Sequence, residues 1–110
     1  MIPTRTLLVL LAACGPSVSY APFRAAPTPR VVPADAVEVF AITPPCPFVE
    51  LGLVDAAQGY ASTAATMAAM RARVGRHGAD GLLMIDHHHR RLHRDGGVAY
   101  RAIAIVQQCN

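Results

Sequence analysis

The chain reads as an α+β domain in which one helix packs on a four-stranded sheet, in the order β-β-α-β-β. Three observations predict this. Four apolar segments of strand length punctuate the chain from Val37 onward. One Ala- and Met-rich stretch, Ala64 to Val74, repeats its apolar residues at helical spacing. Proline and glycine separate the segments. One helix against one sheet is the simplest layering that buries them.

The first strand is Val37-Glu38-Val39-Phe40-Ala41-Ile42, rich in β-branched and aromatic residues. Thr43-Pro44-Pro45-Cys46-Pro47 ends it, because proline cannot donate to a ladder. Phe48 to Val54 forms the second strand, with Gly52 marking a bulge. Ser62 or Thr63 then caps a helix running to about His77, since its hydroxyl can accept from an orphan backbone N–H. Ala64, Met67, Met70 and Val74 share the core face as filler, Arg73 and Arg76 point away, and Arg71 lies at the margin. Gly78 suits a left-handed stop, and His77 sits where it can cap the terminal carbonyls. Gly81-Leu82-Leu83-Met84-Ile85-Asp86 is a continuous apolar run, expected for a central strand covered on both faces. Val98 to Val106 is the closing strand.

The rest of the chain divides into two segments before that domain, which spans 36–110. Residues 1–13 carry one charge, Arg5, followed by Leu7 to Leu11 and Ala12-Ala13. That run is too short to cross a bilayer, which takes about 20 apolar residues, but it has the form of a secretory signal. Leu11-Ala12-Ala13-Cys14 resembles the lipobox of bacterial lipoproteins: an aliphatic residue, two small residues and a cysteine. The resemblance implies that Cys14 becomes the first mature residue and carries the lipid anchor. Ordinary secretion with cleavage after an alanine is the alternative. Gly15 stands where an Asp would favour inner-membrane retention in enterobacterial lipoproteins, so the resemblance places the protein at the outer membrane, facing the periplasm. Residues 14–35 hold Pro16, Pro22, Pro27, Pro29 and Pro33 without hydrophobic periodicity. That composition predicts a semi-rigid tether of roughly 60 Å at ~3.1 Å per residue. The alternative at Val31-Val32 is a loop packed on the domain.

Composition excludes several classes of function. Every basic residue of the Lys/Arg type is an arginine, the formal net charge is +3, and one of those charges lies in the signal segment. No basic stripe is interleaved with aromatics, so nucleic acid is not the expected partner. The expected partners are the membrane, through the lipid, and an envelope protein. No Gly-flanked serine elbow, phosphate loop or suggestively spaced carboxylate pair occurs, so the reading is non-enzymatic.

Three cysteines are present, and lipidation consumes Cys14. Cys46 and Cys109 remain as a pair in an oxidising compartment. A bond between them would close a loop of about 63 residues and contribute roughly 4 kcal/mol. Free buried thiols, or metal ligation with histidine, are the competing readings.

His87-His88-His89-Arg90-Arg91-Leu92-His93 stands between Asp86 and Asp95. If the strand continues, His87 and His89 share a face. If the segment turns helical, His89 and His93 lie at i,i+4. Either arrangement pairs imidazoles, and His87, His89 and His93 are the candidate ligands for zinc, copper or nickel. Arg90, Arg91 and Arg94 would repel a cation, so a solvated surface loop is the competing reading. Protonation of the histidines near pH 6 would make the segment strongly cationic and open to contact with lipid or an acidic partner.

Glu50-Leu51-Gly52-Leu53-Val54, the Ala-rich helix and Gly78-Ala79-Asp80-Gly81-Leu82 together resemble a group of small domains. The group includes the Rcs stress-sensing outer-membrane lipoproteins and the YbjQ-type family described as heavy-metal-binding. The likeness runs from Phe48 to Val106. It implies the fold stated above and an envelope sensing or binding role. This chain departs from the stress sensors in having cysteines for one disulfide rather than two. It carries His87 to His89 where they place a cysteine after the third strand.

Overall fold

The computed structural model describes residues 15–88 and 98–109. It contains β1 (Ser17–Pro22), a 3-10 turn (Ala34–Ala36), β2 (Glu38–Phe40), β3 (Phe48–Ala57), α1 (Thr63–Gly75), β4 (Gly81–His88) and β5 (Ala99–Gln107). The fold is α+β, with one α-helix and five strands among the described residues, and the sheet order is β1-β3-β5-β4-β2. The β2–β4 pair is parallel; the other described pairs are antiparallel. The strands β3 and β4 flank β5, so the β3-α1-β4 connection is a split crossover with the later strand inserted between.

The fifth strand comes from the segment read as a tether, and this corrects both the four-strand count and the spacer over 14–35. Val18 and Tyr20 alternate inward against the core while Ser17 and Ser19 face out. That period-2 pattern lets Ser17–Pro22 pair along β3 from Ala57 to Gly52. After Pro22 the chain continues as a strap across the domain. The Phe23 N–H donates to the Leu51 carbonyl at 2.7 Å and the Val32 N–H to the Gly75 carbonyl at 2.8 Å. Val32 is buried, and Ala26 packs against the core. The prolines stiffen a packed strap here, not a free spacer.

Ser62 caps α1: its Oγ accepts from the Ala65 N–H at 3.0 Å. Thr66, fully buried, donates its hydroxyl to the Ser62 carbonyl at 2.9 Å, which satisfies the polar atom. The far end closes with paired reverse bonds, Gly78 N–H to Gly75 and Ala79 N–H to Val74, with Gly78 at φ +89°. Met70 and Val74 insert between this helix and Leu51, Val54, Leu82, Ala102 and Ala104 on the sheet. Arg71 Nε donates to the Ala34 and Val37 carbonyls at 3.0 and 3.1 Å, tying the 3-10 turn to the helix. Arg73 departs from its expected outward position: it is half-buried, and its Nε is enclosed without a hydrogen-bond partner.

The expectation that Gly81–Asp86 is covered on both faces is also corrected. The strand is internal, but α1 covers one face alone. Leu53, Leu83 and Ile103 lie half-buried on the other, and Ile85 at the bulge between Met84 and Asp86 is 48% exposed. The exposed Asp55 and Arg101 pair at 2.8 Å on that open face.

Candidate functional site

Cys14 lies outside the described residues. Only Gly15 and Pro16 separate it from β1. Ser17 sits opposite Ala57, so the chain enters at the end of the sheet shared by the β3–α1 turn and the start of β5. Tyr60, in that turn, is 90% exposed.

Cys46 and Cys109 are bonded, with Cα atoms 5.2 Å apart. The register explains their meeting. Phe48 lies opposite Gln107, and each cysteine stands two residues beyond its member of that pair. The Gln108 N–H also donates to the Pro47 carbonyl at 2.7 Å across the same gap. This end of the sheet is opposite the one at which the chain enters.

The backbone of β4 continues through His88, with His87 in register with Tyr100 and His88 with Ala99. His89 and His93 lie outside the described residues. Among the described residues, no group of three His, Cys, Asp or Glu side chains is placed to hold a metal.

A cleft of about 490 Å³ opens where the strap crosses the end of α1. Ala25, Ala26, Pro29 and Val31 supply its apolar wall, Arg30 and Arg76 its cationic rim, and His77 completes the lining. Its position follows from the helix stop. The reversal at Gly78 leaves no room for a side chain, because a Cβ there would approach the Ala26 Cβ to 2.8 Å and the Arg30 carbonyl oxygen to 3.2 Å. The strap is thereby pressed against the helix terminus, with Arg30 and Arg76 on the two sides.

His77, expected as a carbonyl cap, stacks on Tyr20 instead, with ring centroids 4.4 Å apart. Tyr20 in turn lies over Gly52, where any Cβ would come within 2.6 Å of its ring. Burial raises the Tyr20 phenol above its usual pKa. Asp80 is the carboxylate beside the cleft. Its Oδ1 accepts from the Gln107 N–H at 2.9 Å, and its Oδ2 stands 3.8 Å from Arg30. Sequence reasoning misses the cleft because it assigns Arg30 to the tether and Arg76 to a solvated helix face. The alternation of Ser17-Val18-Ser19-Tyr20 is the signal that this segment folds.

No protein-family model matches the chain, and no curated protein does. One solved structure is similar, the crystal structure of a Francisella virulence factor, FvfA, in its orthorhombic form. The TM-score is 0.60 at 15% identity, covering 81% of this chain and 96% of that one. The likeness establishes a shared fold.

Proposed function

We propose that the chain is an exported lipoprotein of the cell envelope. Lipid on Cys14 anchors it, at the outer membrane facing the periplasm, and its domain acts by binding rather than by catalysis. The observation that carries this reading is the spacing between Cys14 and β1. A lipobox-like Leu11-Ala12-Ala13-Cys14 ends two residues before a packed edge strand. The three residue steps from Cys14 to Ser17 span roughly 10 Å at about 3.3–3.6 Å each, so the anchored domain rests against the bilayer surface. Anchoring by more than one acyl chain holds such a domain firmly, at about 0.8 kcal/mol per buried CH₂. No described helix is long and apolar enough to cross a membrane. The features available to a partner are the strap–helix cleft and the open sheet face.

The test is the substitution Cys14→Ser in the full chain, expressed in a Gram-negative host. The wild-type protein should fractionate with membranes and carry the added mass of the lipid on an N-terminal cysteine. The variant should remain unprocessed and without lipid. Identical processing and fractionation of the two would overturn the anchor.

A further inference from the structure

We propose that the cleft between the strap and the end of α1 captures an acidic peptide segment of a protein partner. This deepens the binding reading above and rests on it.

Charge is the first argument. From Thr63 to His77 the helix and its cap contain no acidic residue, while Arg71, Arg73 and Arg76 fall on it. Arg71 is consumed by backbone carbonyls. Arg76 and His77 are exposed, and Arg30 faces them across the cleft with its side chain 56% exposed. Asp80 offsets Arg30 only at 3.8 Å and already accepts a backbone hydrogen bond. Two guanidinium groups flanking one groove match two carboxylates on one strand of polypeptide, since each presents a planar fork of donors.

Shape is the second. The wall between the cations is apolar, formed by Ala25, Ala26, Pro29 and Val31, and Val31 is 74% exposed. An occupant with carboxylates spaced along an uncharged backbone buries that wall. A small free anion does not.

Position is the third, and it separates a peptide from a bilayer. The chain enters β1 at Ser17, and the strap leaves from Pro22 at the other end. Five residue steps of strand span roughly 17 Å at about 3.3 Å each. A domain anchored next to Ser17 therefore holds the cleft at the end remote from its own membrane, where a protein segment can reach it.

The experiment is a fluorescence-anisotropy titration of labelled hexaglutamate with the purified full chain in non-ionic detergent. Saturable binding that weakens with added salt is expected. Arg30→Glu and Arg76→Glu should each weaken it by about tenfold. Arg76→Gln should have a smaller effect in the same direction. Arg101→Glu makes the same change in net charge on the open sheet face and should cost less than about twofold. Absence of saturable binding overturns the proposal, as does equal loss in Arg101→Glu. Displacement of hexaglutamate by sn-glycerol 3-phosphate at equal concentration would make the cleft a lipid-headgroup site and overturn it too. None of these outcomes depends on how Cys14 is processed, so failure here and failure of the anchor are read separately.

Discussion

The carbonyl oxygen of Val32 occupies the space that a Cβ on residue 75 would need, and the Val32 N–H donates back to the Gly75 carbonyl at 2.8 Å. The strap and the helix are therefore in backbone contact. Gly75→Ala must push the strap off α1, because a peptide carbonyl cannot rotate aside as a side-chain tip can. Overpacking of this kind costs about 2–3 kcal/mol. Urea denaturation should show that loss, and hydrogen exchange at the Val32 amide should rise. An unchanged midpoint would mean that the strap does not lie where the structure places it.

Tyr20 is held between Gly52 on the sheet and His77 at the helix end. Gly52→Ala should displace the ring and cost about 1–2 kcal/mol. The cost should shrink when Tyr20→Ala is already present, since the two positions share the contact. A double-mutant cycle measures it, and additive losses would argue against the contact between Tyr20 and Gly52.

Tyr20 also sets an alkaline limit. Burial raises its folded pKa above the unfolded value near 10, so the folded state holds the phenolic proton more tightly. Stability from this group is complete below about pH 10 and is lost as pH rises through the folded pKa. Wild type should lose more stability than Tyr20→Phe between about pH 9 and pH 11. Parallel curves would show that the phenol is not desolvated.

The Cys46–Cys109 bond closes a loop with a sequence separation of 63. Replacing both cysteines with serine should lower stability by about 3–4 kcal/mol through the freed unfolded chain. For so small a core that is a large share of the total. The melting temperature with and without reductant reads the effect in wild type, and the double variant should no longer respond to reductant.

Under the anchor proposed at Cys14, Tyr60 and Val31, both exposed, report the orientation of the domain. Spin labels at Tyr60→Cys and Val31→Cys, in chains kept otherwise lipid-anchored, should differ in contact with the bilayer. The label at 60 should be broadened by a lipid-borne relaxant and the label at 31 should not. The reverse pattern would place the strap against the membrane.

Much of this fold is legible in the sequence because its segments are regular. The helix is announced by the spacing of Met67, Met70 and Val74, and its limits by Ser62 and Gly78. The strands β3 and β5 carry enough apolar residues to be read without tertiary information. Proline is where sequence reasoning fails. Pro16 and Pro22 bracket β1 without interrupting it, because an edge strand leaves one side of its ladder unpaired. Continuous hydrophobicity in Leu82 to Ile85 misleads in another way. It reflects an open face that keeps Leu83 and Ile85 partly in solvent, not a second covering layer. The cleft is illegible for a topological reason. Its two arginines, Arg30 and Arg76, meet only because the strap is pinned at Val32 and the helix turns back at Gly78.

The order β1-β3-β5-β4-β2 places the strand latest in sequence in the middle of the sheet. As the chain is produced or threaded from its amino terminus, β1 and β3 can join as a two-stranded ribbon, and β2 can meet β4. These halves have no strand in common until Ala99–Gln107 arrives. Isolated ribbons of two strands are marginal in water. The sheet therefore cannot be completed until β5 has emerged. The export proposed above asks for that timing, since a chain threaded through a narrow channel must stay unfolded until it emerges.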